Sequence, residues 1–220
     1  MSTNNNDDNS IRAIVPGVAG RMGKRIIEII SETEGISIAG GTEIKGSTLV
    51  GKDLGVETGI GANNIPISDS LENISNSGDV IIDFTTPEAS MGNLKAAILN
   101  KKDMVIGTTG LSNKQLDEIK KASNNVRIVY APNMSVGVNV LFKLIKEAAA
   151  VLGKGYDIEI IEAHHRYKKD APSGTAAKIA EILANETNRD ISKAGVYGRK
   201  GMIGERTDQE IGIHVIRGGD

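Results

Sequence analysis

The sequence predicts an α/β chain in which a doubly wound parallel sheet is followed by a smaller α/β domain. Short apolar segments alternate with segments of helical periodicity across residues 11–130. This order is typical of parallel strand–helix units joined by right-handed connections. Glycine-rich turns separate several of these segments, and after residue 133 the alternation gives way to a long amphipathic helix. A length of 220 residues is enough for one large domain or two small ones.

The first predicted domain spans residues 11–134. Its strands are predicted at Ile11–Val15, Ile36–Gly40, Val80–Phe84, Met104–Ile106 and Val126–Tyr130. Its helices are predicted at Arg21–Ser31, at Met91–Leu99 after a first turn at Pro87, and from a cap at Ser112 to Lys121. In the first helix, the spacing of Ile26, Ile27, Ile29 and Ile30 predicts a broad buried face. Residues 43–64 are predicted to be mostly loop.

The second predicted domain spans residues 135–220, with the boundary near Asn133 to Gly137. Its elements are predicted as a helix at Val138–Leu152, a strand at Tyr156–Ala163, a helix at Ala176–Glu186 and a strand at Ile211–Ile216. Residues 1–10 are polar and are predicted to be a disordered tail, since they lack the basic and apolar regions of a signal peptide.

Composition excludes several classes of function. The formal net charge of −2 gives no support for a nucleic acid or an anionic membrane as a partner. The chain has no Cys, which rules out disulfides and thiolate metal sites, and no segment approaches the ~20 apolar residues of a membrane span. The expected setting is the reducing cytoplasm.

A dinucleotide-binding turn is predicted between the first strand and the first helix. A pyrophosphate needs a backbone that it can approach closely and the free N–H groups of a helix N-terminus. Gly17 and Gly20 suit the turn, Gly23 allows the helix to pack against the sheet, and Arg21 adds positive charge. The predicted contacts are Gly17, Val18, Ala19, Gly20, Arg21 and Met22. The alternative is that these glycines only make a tight turn.

Further cofactor contacts are predicted where later strands end. Glu43 lies 20 residues after Gly23, at the position of the acid that holds the ribose hydroxyls. Ligands of such sheets bind beyond the carboxyl ends of the strands, so the loops there should converge, including Thr85–Thr86. The predicted contacts in these loops are Gly107, Thr108, Thr109, Ala131, Pro132, Asn133 and Met134.

A second cluster, IEIIEAHHRYKKDAPSGT at residues 158–175, holds two of the three histidines beside several cations. Such groups can bind a carboxylate and transfer a proton near neutral pH. Ser173 or Asp170 can cap the following helix, whose first N–H groups at Gly174 and Thr175 suit an anion.

Structural alternatives exist for each of these residues. Either histidine can be a structural side chain, and Arg166 and Lys169 can be solvated surface charges. Ser173 is expected to be a cap and not a nucleophile, and adjacent strand histidines without a third ligand predict no metal site. Glu159 and Glu162 fall on opposite faces of a strand and are not expected to form a catalytic pair.

The motifs GVAGRMG, VIGTTG, APNMSVGVNV and IEAHHRYKKDAPSGTA together resemble the dihydrodipicolinate (4-hydroxy-tetrahydrodipicolinate) reductase family of lysine and diaminopimelate biosynthesis. The resemblance runs from Ile11 to the last residue. It implies a Rossmann-like domain that binds NADH or NADPH and a smaller domain that binds a cyclic dicarboxylate. It also implies that His164 is the acid–base residue, that Lys168 is a second proton donor, and that His165, Ser173, Gly174 and Thr175 hold the substrate. A homotetramer assembled through the second domain is expected.

Two departures from the family pattern matter. Some members place an Arg directly after the ribose acid, whereas this chain has Ile44 and then Lys45. Glu43 holds hydroxyls and repels a 2′-phosphate, so NADH is expected to be preferred or both cofactors to be used. The family usually continues beyond Arg-Gly-Gly-Asp, so the second domain is expected to be truncated at Asp220.

Two other functions are alternatives. One is another nicotinamide-dependent dehydrogenase of similar build, such as an aspartate or semialdehyde dehydrogenase, and the absence of Cys removes the thiol nucleophile that a semialdehyde dehydrogenase needs. A non-catalytic dinucleotide sensor would keep the turn at residues 17–23 but would not need His164 and Lys168.

Overall fold

The structure, a computed structural model, describes residues 10–220. All but the last residue of the tail predicted at residues 1–10 lies outside the described part. The chain divides into two compact units, one ending at Ala131 and the other running from Pro132 to Asp220. None of the helices in the described part combines the length and the apolar character needed to cross a membrane.

The first unit is a five-stranded parallel sheet with helices on both faces, which confirms the predicted class. Its strands are β1 (Ile11–Pro16), β2 (Ile36–Thr42), β3 (Val80–Asp83), β4 (Asp103–Ile106) and β5 (Ile128–Tyr130), in the order β2-β1-β3-β4-β5. Its helices are α1 (Arg21–Glu32), α2 (Leu54–Thr58), α3 (Leu71–Ile74), α4 (Pro87–Leu99) and α5 (Asn113–Ala122), with a 3-10 turn at Ser75–Ser77. The strand order reverses at β1, so the carboxyl ends of β1 and β3 flank the point where such sheets bind ligands.

Alternating side chains of β1 face two separate cores. Ala13 and Val15 pack with Ile27 and Ile30 of α1, while Ile14 packs on the other face with residues of α4 and α5. The predicted four-isoleucine face of the first helix is wrong in part, because Ile29 is 46% exposed. A helix that packs on one face of a sheet buries only one stripe of side chains, and this stripe is narrower than the arc that the four isoleucines cover.

The predicted helix starts of the first unit are confirmed. Pro87 is the first residue of α4 after Thr86, whose side chain accepts a hydrogen bond from the Ala89 N–H. Ser112 caps α5 and forms a reciprocal capping box with Gln115. Both devices satisfy N–H groups that a helix leaves without intrahelical partners.

The segment at residues 43–64 contains the short helix α2, which the loop prediction missed. The Asp53 carboxylate accepts hydrogen bonds from the N–H groups of Val56 at 2.9 Å and Asn64 at 2.6 Å. These backbone hydrogen bonds, with that of Val56 the largest cause, lower the pKa of Asp53. The hydrogen bond from Asn64 reaches a residue 11 positions earlier in the chain, and a contact of this range leaves no periodic signal in the sequence.

The second unit is a smaller α/β layer. It contains α6 (Val136–Leu152), β6 (Ile158–His164), α7 (Gly174–Glu186), α8 (Ile191–Ala194), β7 (Gly195–Tyr197) and β8 (Ile211–Arg217), with a 3-10 turn at Gly153–Gly155. The three strands are parallel in the order β6-β8-β7. Ile160, Ile211 and Ile213 pack against Ala176, Ala180 and Ala184 of α7. The sequence did not predict α8 and β7.

Candidate active site

The turn after β1 is built by glycines that make close contacts. Gly17 has φ +70°, a conformation that favours glycine, and its carbonyl accepts from the Gly20 N–H at 3.0 Å. A Cβ at Gly23 would lie 2.1 Å from the Gly17 oxygen, so α1 touches the turn directly. Because Gly20 at the N-cap has no side chain, the first N–H groups of α1 stay available to an anion.

The predicted ribose acid lies against this turn. Glu43 Oε1 accepts from the Ala19 N–H at 2.7 Å, and Glu43 Oε2 accepts from the Ile44 N–H at 3.2 Å. Arg21 and Met22 are exposed at the start of α1, whereas the Val18 side chain is fully buried. Val18 can therefore offer a ligand only its backbone.

A buried polar network joins the loops after β3 and β4. Asp83 is fully buried, and its Oδ1 accepts from the Thr85 N–H at 2.9 Å and the Thr85 hydroxyl at 2.6 Å. Its Oδ2 accepts from the Asn93 amide at 2.9 Å. The buried hydroxyls of Ser90 and Thr108 lie 2.6 Å apart, and that of Ser90 is 3.4 Å from the Thr85 hydroxyl. The Thr108 hydroxyl is thus engaged inside the protein, which leaves its backbone for a ligand.

The remaining predicted contacts of the first unit gather at the same sheet edge. Gly107 N–H donates to the Asp83 carbonyl at 2.9 Å, and a Cβ at Gly107 would lie 2.0 Å from the Phe84 ring. Thr109 is exposed beside it. Ala131 N–H donates to the Ile106 carbonyl at 3.2 Å. The loops after β3, β4 and β5 therefore lie together, as predicted for ligand binding at carboxyl strand ends.

In the second unit, one buried carboxylate joins the predicted acid–base residue to the start of α7. His164 Nε2 lies 3.2 Å from Glu162 Oε2, and the Ser173 N–H donates to Glu162 Oε1 at 2.8 Å. Arg217 lies 3.7 Å from the same oxygen, and the Glu162 side chain is only 9% exposed. Burial acts to raise the pKa of Glu162, but the hydrogen bonds from Ser173 and His164 outweigh it, so the pKa is lowered.

The second predicted proton donor is held by an aspartate. Lys168 Nζ donates to both carboxylate oxygens of Asp170, at 2.8 and 2.9 Å, and the lysine side chain is 20% exposed. This hydrogen bond lowers the pKa of Asp170. Arg217 Nη2 donates to the Asp170 carbonyl at 2.6 Å, so Asp170 is held by Arg217 as well as by Lys168.

The start of α7 carries the predicted substrate residues. Ser173 is buried and its hydroxyl accepts from the Ala176 N–H at 3.1 Å, which confirms the predicted cap. Gly174 and Thr175 are the first residues of the helix. Thr175 Oγ1 accepts from Asn133 Nδ2 at 3.2 Å, so a residue predicted for the cofactor contacts one predicted for the substrate.

The remaining predicted residues of this unit are more exposed. His165 is exposed, and its Nδ1 accepts from the Tyr167 N–H at 3.2 Å. Pro132 and Met134 are exposed on either side of Asn133. Within residues 10–220 no group of three or more His, Cys, Asp or Glu side chains is placed to hold a metal ion.

Sequence reasoning missed the groups that support the predicted ones. Glu162 precedes His164 by two positions on a strand, so the two side chains share a face, and this spacing could have found it. Asp170 follows Lys168 by two positions, so its pairing is local to the turn after β6. Arg217 and Ser90 offered no comparable signal, since each acts through a contact that the tertiary fold creates. Glu159, on the other strand face, contacts Arg199, Arg206 and His214 instead of the site.

Comparison with known sequences covers nearly the whole chain. Residues 11–134 match the family described as dihydrodipicolinate reductase, N-terminus, and residues 137–220 match dihydrodipicolinate reductase, C-terminus. The 4-hydroxy-tetrahydrodipicolinate reductase of Syntrophotalea carbinolica is 48% identical over 210 residues, which are 96% of this chain and 79% of that protein. The protein of the same name from Syntrophus aciditrophicus is 50% identical over 96% of this chain and 78% of its own.

Solved structures agree with the sequence comparison. A dipicolinate-bound dihydrodipicolinate reductase from Paenisporosarcina sp. TG-14 superposes with a TM-score of 0.68 and 28% identity, covering 95% of this chain and 79% of that one. An amine dehydrogenase from Mycobacterium smegmatis, at 14% identity and a TM-score of 0.60 over 81% of this chain and 62% of its own, shares the fold alone. The two matches at residues 11–134 and 137–220, with relatives near 50% identity, place this chain in the dihydrodipicolinate reductase family.

Proposed function

We propose that this chain reduces 4-hydroxy-tetrahydrodipicolinate to tetrahydrodipicolinate with NADH or NADPH, as part of lysine and diaminopimelate biosynthesis. The observation that carries the proposal is the cluster of His164, Lys168 and the N-terminus of α7 within the second unit. It offers proton donors and anion-binding N–H groups on one short stretch of chain. Relatives of the chain at 48–50% identity are named 4-hydroxy-tetrahydrodipicolinate reductase.

The first unit is proposed to hold the cofactor, and its residues fit one. The turn at Gly17 to Gly23 supplies a close backbone approach and free N–H groups for the pyrophosphate. Glu43 would hold the ribose hydroxyls, and the loops at Gly107–Thr109 and Ala131 would line the crevice at the sheet edge. When bound, the reduced nicotinamide supplies the hydride.

The second unit is proposed to hold the dicarboxylate. A carboxylate placed at the start of α7 would accept from the N–H groups of Gly174 and Thr175 and gain from the helix dipole. His165 is exposed and can supply a further donor to the substrate. The Ser173 hydroxyl keeps its role as helix cap. Ser173 would therefore act on the substrate by fixing the position of the first N–H groups of α7.

His164 and Lys168 are proposed to manage the proton that the reduction requires. Loss of the 4-hydroxyl group as water gives a conjugated ring, and hydride addition to that ring leaves an enamine anion. This anion takes up one proton, which an imidazolium or an ammonium can donate, so the products are tetrahydrodipicolinate and water. Lys168 is paired with Asp170, and a bound dianion would give its ammonium a second acceptor.

Cofactor preference and assembly belong to the same proposal. The Glu43 carboxylate, held by the Ala19 N–H, would repel a 2′-phosphate, and Lys45 would offset only part of this repulsion. We therefore expect NADH to be preferred or both cofactors to be used. A cytoplasmic homotetramer assembled through the second unit is the proposed working form.

The proposal is tested by following loss of reduced-nicotinamide absorbance. The unstable substrate is generated in situ from pyruvate and aspartate semialdehyde with a synthase, with NADH and NADPH in parallel. Oxidation that disappears in His164→Gln and Lys168→Met, while both variants still bind NADH, supports the enzyme. Unchanged oxidation in both variants would contradict the assigned roles. The wild-type chain is tested as given and in a form extended to the full length of its relatives. If both forms bind NADH and neither turns over substrate, the result would indicate a non-catalytic sensor.

A further inference from the structure

We propose that Glu162 is a positioning residue that fixes the orientation and tautomer of His164 and leaves His164 Nδ1 as the nitrogen that exchanges a proton with the substrate. The inference deepens the proposed function and rests on it for the identity of the reaction. The arrangement of Glu162 itself stands on the contacts within the second unit.

The pairing follows from strand geometry. Glu162 and His164 are two residues apart on β6, so their side chains lie on the same face. Glu162 Oε2 is 3.2 Å from His164 Nε2. The carboxylate is 9% exposed and the imidazole 36% exposed, so the carboxylate lies in the interior and the ring lies toward solvent. Such a pair resembles the base-and-orienting-acid arrangement of other acid–base sites.

The second carboxylate oxygen ties this pair to the anion-binding end of α7. Glu162 Oε1 accepts from the Ser173 N–H at 2.8 Å, and Ser173 in turn caps the helix that begins at Gly174. One buried anion therefore fixes both the proposed proton donor and the proposed carboxylate site. Their mutual distance is then set by the fold and does not depend on the substrate.

Among the charged groups near His164, Glu162 is the carboxylate in direct contact with the imidazole ring. Arg217 lies across from His164 in the register of β6 and β8, and it contacts Glu162 at 3.7 Å. Lys168 and Asp170, in the following turn, are paired with each other at 2.8 Å. A carboxylate at Nε2 favours a proton on that nitrogen, which makes Nδ1 the free position of the neutral ring.

The inference is tested by NMR of protein labelled with ¹⁵N-histidine, in wild type, Glu162→Gln and Glu162→Asp. The chain has three histidines, so each can be followed, and His164→Gln assigns the signal. We expect the Nε2–H tautomer for His164 in wild type. Glu162→Gln should mix the tautomers, because the carboxylate at Nε2 is lost. Glu162→Asp keeps the charge and should retain most of the wild-type behaviour, and His214, which contacts Glu159, is an internal control.

Kinetics separate a positioning role from a purely structural one. We expect Glu162→Gln to lower kcat at least about tenfold, a part of the 10²–10⁴ that a positioned acid–base group contributes. NADH affinity should stay unchanged. An unchanged His164 tautomer in Glu162→Gln would overturn the inference. If wild type shows the tautomer but no turnover, the proposed function fails while the pairing stands.

Discussion

Asn133 Nδ2 donates a hydrogen bond to Thr175 Oγ1 across 3.2 Å, and the Asn133 oxygen Oδ1 accepts from the Ser135 N–H at 2.9 Å. One amide therefore connects the start of α6 with the start of α7 inside the second unit. Thr175 is a proposed substrate contact, so the amide places that residue. Its neighbours along the chain, Pro132 and Met134, are exposed and remain proposed cofactor contacts.

Asn133→Ala should weaken dicarboxylate binding. Loss of one neutral hydrogen bond of about 0.5–1.5 kcal/mol predicts roughly a 2- to 10-fold higher Kd for dipicolinate, measured by calorimetry. Asn100→Ala is the matched control, because it removes a comparable amide hydrogen bond, to Ala96, at the end of α4 in the first unit. Equal effects of the two variants would contradict a local role for Asn133.

Gly23→Ala should abolish cofactor binding. The new methyl group would lie 2.1 Å from the Gly17 carbonyl oxygen, which is backbone, so the turn or α1 has to move. Gly92→Ala in α4 is the control, since its Cβ would meet nothing within 4 Å, and it should be neutral or stabilising by up to about 1 kcal/mol. NADH fluorescence titration measures the result, and normal binding by Gly23→Ala would exclude this turn as the pyrophosphate site.

Thr108→Val should destabilise the first unit and weaken NADH binding together. The substitution keeps the shape but leaves the buried Ser90 hydroxyl without its 2.6 Å partner, at a cost of about 1–3 kcal/mol. Thr109→Val changes an exposed neighbour and should leave the Tm unchanged. The measurements are thermal unfolding and NADH titration, and an unchanged Tm in Thr108→Val would refute the role of the network.

Stability of the second unit should fall in acid partly through Glu159. Hydrogen bonds, of which that from Arg199 has the largest effect, lower the pKa of Glu159 to about 2 from its ordinary 4.5. Burial opposes this shift, and the hydrogen bonds from His214 and Arg206 add to it. A depressed carboxyl pKa stabilises the fold above the unfolded value. This contribution is lost as pH falls from 4.5 toward 2.

Glu159→Gln should therefore lower the Tm by about 2–8 °C at pH 6, for roughly 1–2 kcal/mol after solvent screening, and by less than half of that at pH 3. Glu181→Gln is the control, because its pair with Lys178 on α7 is exposed and should contribute little. Circular dichroism from pH 3 to 6 measures both variants. A Tm difference that does not depend on pH would rule out the ionisation as the cause.

Much of the fold could be predicted from the chain because its signals are local. The apolar run at β1, the glycine turn and the Ser112 cap each depend on residues within a few positions of one another. The three-residue strand β7 has no periodicity of its own and exists because it pairs with β8, 14 or more positions away. The exposure of Ile29 depends on how α1 lies on the sheet, which the run of isoleucines does not specify.

The candidate site was predictable to the same extent. Motif residues such as His164, Lys168 and Gly17 stand out by type and spacing. Ser90 and Arg217, which support them, do not stand out, because Ser90 meets Thr108 at a separation of 18 positions and Arg217 meets Asp170 at a separation of 47 positions. Contacts of that range are products of topology and not of a local pattern.

The buried hydroxyl pair of Ser90 and Thr108 has a consequence for the thermodynamics of ligand capture. The loops after β3 and β4 are ordered when the first unit folds, so a ligand that enters their crevice does not have to immobilise them. Binding should then carry a small entropic penalty from these loops. The Thr85 amide hydrogen donates to the Asp83 carboxylate and the Gly107 amide hydrogen to the Asp83 carbonyl, so both should exchange slowly before and after capture.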